Sequence, residues 1–432
     1  MTLPDRLPRR LPAPPVRHAP RGPAQDLPSR PSATRGRLIL LGPAFVAAVA
    51  YVDPGNFATN STAGARYGYL LVWVVVAANL AAMLVQTLTA KLGLATGRSL
   101  PELCRDHLPR PLNRAMWAQA ELVAMATDLA EVIGGAVALH LLFGIPLLPG
   151  GVIVGTAAFA VLALRSRGFR TFEIAIAVLL GVIVLAFAVN LVTAGPDLSA
   201  TAGGLLPRTA GTDSMLLAAG ILGATVMPHV IYVHSALTPN RIPTSGEAER
   251  RTVARGLRID VLVALGIAGG VNLAMLLVAA TSFHGSGIPG TDTLEGLHAG
   301  LADTLGATAA VGFAVALLLS GLASTSVGTY AGEVIMQGFL RRRIPLLVRR
   351  TVTLLPALAV LAIGVDPTRA LVLSQVVLSF GIPFALIPVV AFTRRRDLMG
   401  SLVNRPATTA VAVLITALVV ALNAFLLWQL VA

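Results

Sequence analysis

Ala50-Tyr51-Val52-Asp53-Pro54-Gly55-Asn56 lies inside an apolar segment, residues 38–64, that is long enough to cross a bilayer. Its middle nevertheless holds an ionisable carboxylate, a proline, a glycine and a carboxamide. A charge at the bilayer centre costs at least ~2.5–3.5 kcal/mol on insertion scales, so an acid kept there is expected to serve a function. Pro54 has no N–H, and its ring clashes with the carbonyl four residues back, which leaves the Ala50 carbonyl without its helical partner. Gly55 eases the break. The segment is therefore expected to be a helix interrupted near mid-membrane, where a carboxylate, an amide oxygen and a free backbone carbonyl meet. Together they outline a cation site.

A second break resembles the first. Within residues 213–238 the chain reads Gly223-Ala224-Thr225-Val226-Met227-Pro228-His229, and Pro228 frees the Ala224 carbonyl by the same rule. A thioether, Met227, precedes this proline where Asp53 precedes the other. Two interrupted apolar segments at corresponding positions in two halves point to a transporter site built from inverted repeats.

The composition fits a membrane setting. Of 432 residues, 55% are hydrophobic and 12% charged, with a mean hydropathy of +0.78. Many apolar runs approach or exceed the ~18 residues of a spanning helix, and they are continuous rather than alternating, so an all-α polytopic membrane protein is expected rather than a β-barrel. The lone Cys104 excludes an intrachain disulfide framework and any cysteine-cluster metal site. The net charge of +13 does not signal nucleic acid, because the arginines sit in the gaps between apolar segments.

Residues 1–36, rich in Pro and Arg, read as a disordered cytoplasmic tail with no apolar region of a secretory signal. About eleven spans follow from the ~20-residue rule, at 38–64, 69–95, 115–143, 150–165, 172–194, 213–238, 256–281, 306–339, 347–364, 368–392 and 407–431. Alternate gaps are loaded with arginine, for example Arg98, Arg105, Arg110 and Arg114, or Arg341, Arg342, Arg343, Arg349 and Arg350; the intervening gaps carry only Arg66, Arg208 and Arg369. That bias puts the N-terminus in the cytoplasm and, with an odd number of spans, the C-terminus outside a bacterial inner membrane. Five spans per half is odd, so the second half enters from the opposite side. The expected organisation is a core, 37–392, made of inverted repeats 37–194 and 213–392. Residues 393–432 add a cytoplasmic loop and a peripheral eleventh helix.

Asp53 and Asn56 are hard oxygen donors, and Met227 is a soft sulfur donor. Oxygen alone suits Mg²⁺ or Ca²⁺, whereas a thioether favours softer or borderline ions, so the mixture points to Mn²⁺, Fe²⁺ or heavier ions such as Cd²⁺.

The strings Asp53-Pro54-Gly55-Asn56 and Met227-Pro228-His229 resemble the signature motifs of the Nramp family of proton-coupled divalent-metal transporters, over the whole chain after the tail and without departure from either motif. The resemblance implies a LeuT-like fold and import of Mn²⁺ or Fe²⁺ with protons. It carries metal ligation onto Asp53, Asn56, Met227 and the carbonyls of Ala50 and Ala224, with Gln375 joining in some conformations. The methionine matters, because relatives that carry Mg²⁺ or Al³⁺ lack it. No resident cofactor and no obligate protein partner are implied; the partners are the metal ion, the proton and the lipid bilayer.

Glu121, Asp128 and Glu131 lie in the third span, and Asp128 and Glu131, three apart, share a helix face. Buried acids in transporters form proton relays. By resemblance, Asp128 and Glu131 lie on a proton route from Asp53 toward the cytoplasm, with Glu121 and Arg350 further along and His229 beside the site. A structural ion pair with Arg349 or Arg350 is the competing role for these acids, and a plain hydrogen-bond role competes for His229. Asp260, Asn272 and Glu333 are polar residues at membrane depth whose roles stay open. The run Ser320–Ser326 is expected to permit close helix packing.

The alternative function is a sodium-coupled amino-acid transporter of the same fold, with Thr325 and Ser326 as sodium ligands; against it, Asp53 would repel a substrate carboxylate. An intramembrane enzyme is disfavoured, since the chain has neither a His-Glu-x-x-His nor a Gly-x-Gly-Asp motif. A channel is disfavoured by the paired breaks.

Overall fold

Both proline breaks are present. In the computed structural model, which describes residues 42–163, 169–239, 246–342 and 344–431, α1 (Pro43–Ala50) stops where Pro54 withholds its N–H, and α2 (Pro54–Tyr67) restarts at that proline. The second half repeats the arrangement lower in the chain. The expected tail, residues 1–36, lies outside the described residues.

In chain order α3 (Val72–Thr96), α4 (Leu100–His107), α5 (Arg110–Phe143), α6 (Leu147–Ala163), α7 (Phe169–Ala194) and α8 (Leu198–Gly203) complete the first half. The second half opens with α9 (Thr212–Thr225) and α10 (Pro228–Leu237), the other broken pair. It continues with α11 (Glu247–Phe283), α12 (Leu294–Leu305), α13 (Ala307–Leu340), α14 (Leu346–Ile363) and α15 (Pro367–Thr393). A short α16 (Arg396–Met399) and α17 (Pro406–Val431) close the chain.

Each of the expected apolar segments thus falls on a helix or a broken pair. Among the described residues eight of these are long and apolar enough to cross a membrane, and two more, Leu147–Ala160 and Thr351–Ile363, are shorter apolar helices. The halves α1 and α2, 8 and 14 residues long, are each too short to cross alone. Two helices extend beyond the apolar pattern, to Arg110 in α5 and to Glu247 in α11. Their polar first turns continue the helix past the apolar stretch.

Glycine ends several of the helices. Gly97 (φ 65°) after α3 and Gly144 (φ 66°) after α5 take the left-handed conformation that closes a helix C-terminus.

The broken segments occupy the centre. In the α9–α10 segment 89% of the most apolar stretch is buried, against 22% in α17, which therefore lies at the periphery. Small residues let the central helices approach. A Cβ on Gly321 of α13 would lie 3.1 Å from the Glu131 carbonyl and 3.3 Å from the Gly135 nitrogen of α5, so the small-residue run packs as expected. Phe57 of α2, Phe187 of α7 and Phe313 of α13 form an edge-to-face triangle with centroids 5.2, 5.7 and 6.4 Å apart, which ties the first break to two further helices.

Candidate functional site

Asp53 caps α2 from within the first break. Its Oδ1 accepts from the Asn56 backbone N–H (2.8 Å) and from the Asn56 amide Nδ2 (2.8 Å). The same Nδ2 donates to the Ala224 carbonyl in the second break (2.9 Å). One carboxamide therefore joins the two breaks, which lie 168 residues apart in sequence. The Ala224 carbonyl, expected to be free, accepts this bond and keeps its second lone pair. The Ala50 carbonyl is denied its helical partner because Pro54 has no N–H.

Among the side chains expected to hold the metal, three oxygens are left over, and Thr225 Oγ1 in the second break is unpartnered as well. Asp53 Oδ2, Asn56 Oδ1 and Gln375 Oε1 are buried and have no hydrogen-bond partner. Gln375 sits on α15 against both breaks: a Cβ on Gly55 would collide with its side chain, and a Cβ on Gly223 with its backbone carbonyl. Met227, fully buried, precedes α10 in extended conformation (φ −73°, ψ 120°). Buried polar atoms are ordinarily satisfied, so three orphaned oxygens gathered at two helix breaks mark a place prepared for something that arrives. The donor set is one carboxylate, two amide oxygens, backbone carbonyls and a thioether. Among the described residues no group of three or more His, Cys, Asp or Glu side chains is placed to hold a metal. A divalent ion at the breaks would thus meet a single full negative charge and otherwise neutral donors.

The unwound residues are fastened from outside. Asn272 of α11 donates to the Tyr51 carbonyl (2.8 Å), and Ser320 of α13 to the Val52 carbonyl (2.5 Å). The Tyr51 hydroxyl accepts from Gln86 Nε2 of α3 (2.6 Å). Gln86 Oε1 meets His234 Nδ1 of α10 at 2.7 Å, and since an amide oxygen only accepts, the imidazole donates. Asp260 of α11 receives the backbone N–H groups of Gly42 (3.3 Å) and Ala44 (3.0 Å) at the start of α1. Gln86 and Tyr51 escaped the sequence reading. The available signal was a polar side chain kept on an otherwise apolar helix.

Helix α5 runs alongside both breaks. A Cβ on Gly134 would strike the Pro54 ring. About one turn before it, Glu131 is fully buried, and Asp128 is 4% exposed. A Cβ on Gly328 of α13 would lie 3.1 Å from Glu131 Oε2 and 3.4 Å from Asp128 Oδ1, so both carboxylates face the same strip of α13 backbone. Thr127 Oγ1 donates to the Val123 carbonyl (3.0 Å) and lies 3.2 Å from His229 Nδ1. The hydroxyl proton is spent, so His229 donates through Nδ1; its Nε2 is buried without a partner. Further along, Glu121 is held by Arg349 through two bonds, 2.8 and 3.2 Å, with the pair largely buried. Glu121 thus makes an ion pair with Arg349, one of the two arginines foreseen as partners for the acids of this helix. The side chain of Arg350 lies outside the described residues. Ser326 Oγ donates within its own helix to the Leu322 carbonyl (2.9 Å), and Thr325 is buried beside it.

Residues 44–429 match the family described as natural resistance-associated macrophage protein-like, Nramp. The chain is 52% identical over 400 residues to a divalent metal cation transporter, MntH, of Deinococcus radiodurans, covering 93% of this chain and 92% of that one. It is 56% identical over 392 residues to the MntH of Mycobacterium tuberculosis, covering 90% and 91%. Crystal structures of a manganese transporter of Eremococcus coleocola superpose with a TM-score of 0.83 at 32% identity, over 92% of this chain and 88% of that one. Mhp1, a nucleobase-cation-symport-1 family transporter, shares the fold alone, with a TM-score of 0.54 at 15% identity over 84% and 81%. The LeuT-like architecture expected from the motifs is thus found, the chain is a membrane transporter rather than an enzyme, and it belongs to the Nramp family.

Proposed function

We propose that this chain imports divalent transition-metal ions, Mn²⁺ and Fe²⁺ and the softer Cd²⁺, together with protons, by alternating access across the cytoplasmic membrane. The observation that carries the reading is the trio of buried, unpartnered oxygens, Asp53 Oδ2, Asn56 Oδ1 and Gln375 Oε1, at two facing helix breaks beside a thioether. The relatives named as divalent metal cation transporters, and the manganese transporter with the same fold, support it.

The ion would be held by Asp53, Asn56, Met227, Gln375 and the carbonyls of Ala50 and Ala224. Asp53 supplies the charge, the amides and carbonyls replace hydration, and the sulfur disfavours Ca²⁺ and Mg²⁺. Metal arrival displaces the Asp53 proton, because a ligating carboxylate must be ionised. The proton then has acceptors along α5. From Gly134 at the break to Glu121 the helix climbs 13 residues, about 20 Å, past Glu131, Asp128 and the Thr127–His229 pair. Arg349, and Arg350 beyond it, would steady the charge at the far end. The arginine bias supports a cytoplasmic N-terminus and a cytoplasmic position for the α5 end bearing Glu121. The two halves, 37–194 and 213–392, would act as inverted repeats that rock around the site.

Uptake of Mn²⁺ into proteoliposomes under an inward proton gradient tests this. Asp53→Ala is expected to abolish uptake, and near-normal uptake by that variant would overturn the site. Sodium should be dispensable.

A further inference from the structure

Helix α17 is hydrogen-bonded to the core through α15. Asn423 Nδ2 donates to the Ser379 carbonyl of α15 (2.7 Å), and Ser379 Oγ donates back to Asn423 Oδ1 (2.9 Å). Toward its end α17 packs on α9 through Leu426 and Ala219, but around Ile415–Leu422 it leaves a crevice of about 310 Å³ against α3 and α9. Its walls are apolar stripes at helical spacing, represented by Ala77 of α3, Ala218 of α9, and Leu418 and Leu422 of α17. Leu418 is 61% exposed, so the crevice opens sideways toward the surroundings of the helix bundle. An apolar cleft of this kind does not hold water. At the depth of the spanning helices the matter available to fill it is an acyl chain.

One end of the crevice is polar. Trp73 and Thr209 form its rim, and the Trp73 indole donates to the Arg208 carbonyl (3.0 Å). Tyr69 lies nearby in sequence and donates to, or accepts from, Thr281 at 2.8 Å. Tryptophan and tyrosine gather at the headgroup level of a bilayer, which sets the height of this rim. Arg208 is exposed there, and among the described residues it has no carboxylate partner. Its guanidinium reaches only the Gly203 carbonyl, at 3.5 Å. Arg66, in the last turn of α2, is already paired with Asp292 (2.6 Å). Asp213, five residues after Arg208, is exposed as well and faces the same aqueous layer. A guanidinium one residue from Thr209, on a residue whose carbonyl holds the rim tryptophan, beside an apolar slot matches one class of molecule, a glycerophospholipid with its phosphate at the rim and a chain below.

We propose that the crevice between α17, α3 and α9 is a binding site for one phospholipid. An acyl chain lies along Ala77, Ala218 and Leu418, and the phosphodiester lies on Arg208. The lipid completes the contact of α17 with α9, the half-helix that ends at the Ala224 carbonyl. The site is separate from the metal position, and its occupancy does not depend on transport.

Native mass spectrometry of the full chain, released from nanodiscs containing phosphatidylglycerol and phosphatidylcholine, tests the assignment. The wild type should keep one phospholipid after the annular lipids are stripped, with phosphatidylglycerol preferred. Ala77→Phe fills the slot from an exposed position and should lose that lipid, and Leu418→Trp should do the same from the facing helix. Arg208→Gln should keep a lipid but weaken the phosphatidylglycerol preference roughly fivefold, the loss of one interfacial cation. Retention of the same lipid by both slot-filling variants, or none by the wild type, would overturn the site; an unchanged preference in Arg208→Gln would overturn the headgroup assignment. As a second readout, brominated acyl chains should quench Trp73 in a Trp117→Phe/Trp428→Phe background and saturate at one lipid, and non-saturating quenching would count against it.

Discussion

Asn56 does the work of a clasp. Its Nδ2 joins Asp53 Oδ1 to the Ala224 carbonyl, and Asn56 Oδ1 and Asp53 Oδ2 are left buried without partners. Removing either oxygen removes a donor, but the sulfur acts differently. A thioether adds little for Mn²⁺ and penalises ions that demand oxygen. Met227→Ala should therefore keep Mn²⁺ uptake and admit Ca²⁺ or Mg²⁺, measured by competition in proteoliposomes; a variant that still excludes both would show that the sulfur is not the filter. Glu131 stands one turn from the α5 glycine that touches Pro54 and is not one of the proposed metal ligands. Glu131→Gln preserves shape and removes the titratable proton. Metal uptake is expected to persist while the proton flux accompanying each ion falls, read with a pH dye inside the vesicles. Unaltered proton entry would take Glu131 off the route.

At the scale of elements, prolines behave in two ways. Pro54 and Pro228 end helices, yet Pro356 in α14 and Pro383 and Pro388 in α15 lie inside unbroken ones. The missing N–H is common to all five, and membrane helices tolerate it when neighbours re-satisfy the freed carbonyl. What differs is the company. The carbonyls of Tyr51 and Val52 are taken by Asn272 and Ser320, and the Ala224 carbonyl by Asn56, so the open form is the one the surrounding helices support. Pro54→Ala should consequently lower uptake sharply, while Pro356→Ala leaves it near normal, both measured as initial rates of Mn²⁺ entry. Ser320→Ala leaves the Val52 carbonyl without its interhelical donor and should destabilise the protein by about 1–3 kcal/mol, visible as a lower midpoint of thermal unfolding in detergent. A midpoint equal to that of the wild type would mean that the break needs no such fastening.

At the scale of the whole molecule, the alternation of arginine-rich and arginine-poor gaps supports the proposed orientation, for which a reporter active only outside the cytoplasm should be active when fused after Ala432 and silent when fused between α15 and α17. The reverse pattern would invert the proposed topology. Much of the architecture was legible beforehand, because its causes are local. The length of an apolar run sets a span, a proline withholds an N–H from its own segment, and the side chains of Asp53, Asn56 and Met227 carry their coordination chemistry wherever they lie. Other features depend on how distant helices rotate against one another. Gln375 meets both breaks only because glycines at 55 and 223 leave room for it. The chain from Tyr51 through Gln86 to His234 joins α3 to α10, Arg349 pairs with Glu121, and α17 left a slot beside α9. The sequence by itself determined the two breaks, the donors beside them and the membrane setting, since each follows from a residue and its near neighbours. Only the tertiary structure decided which donors converge and which are already spoken for, since partners 168 and 268 residues apart are brought together by packing and by nothing local.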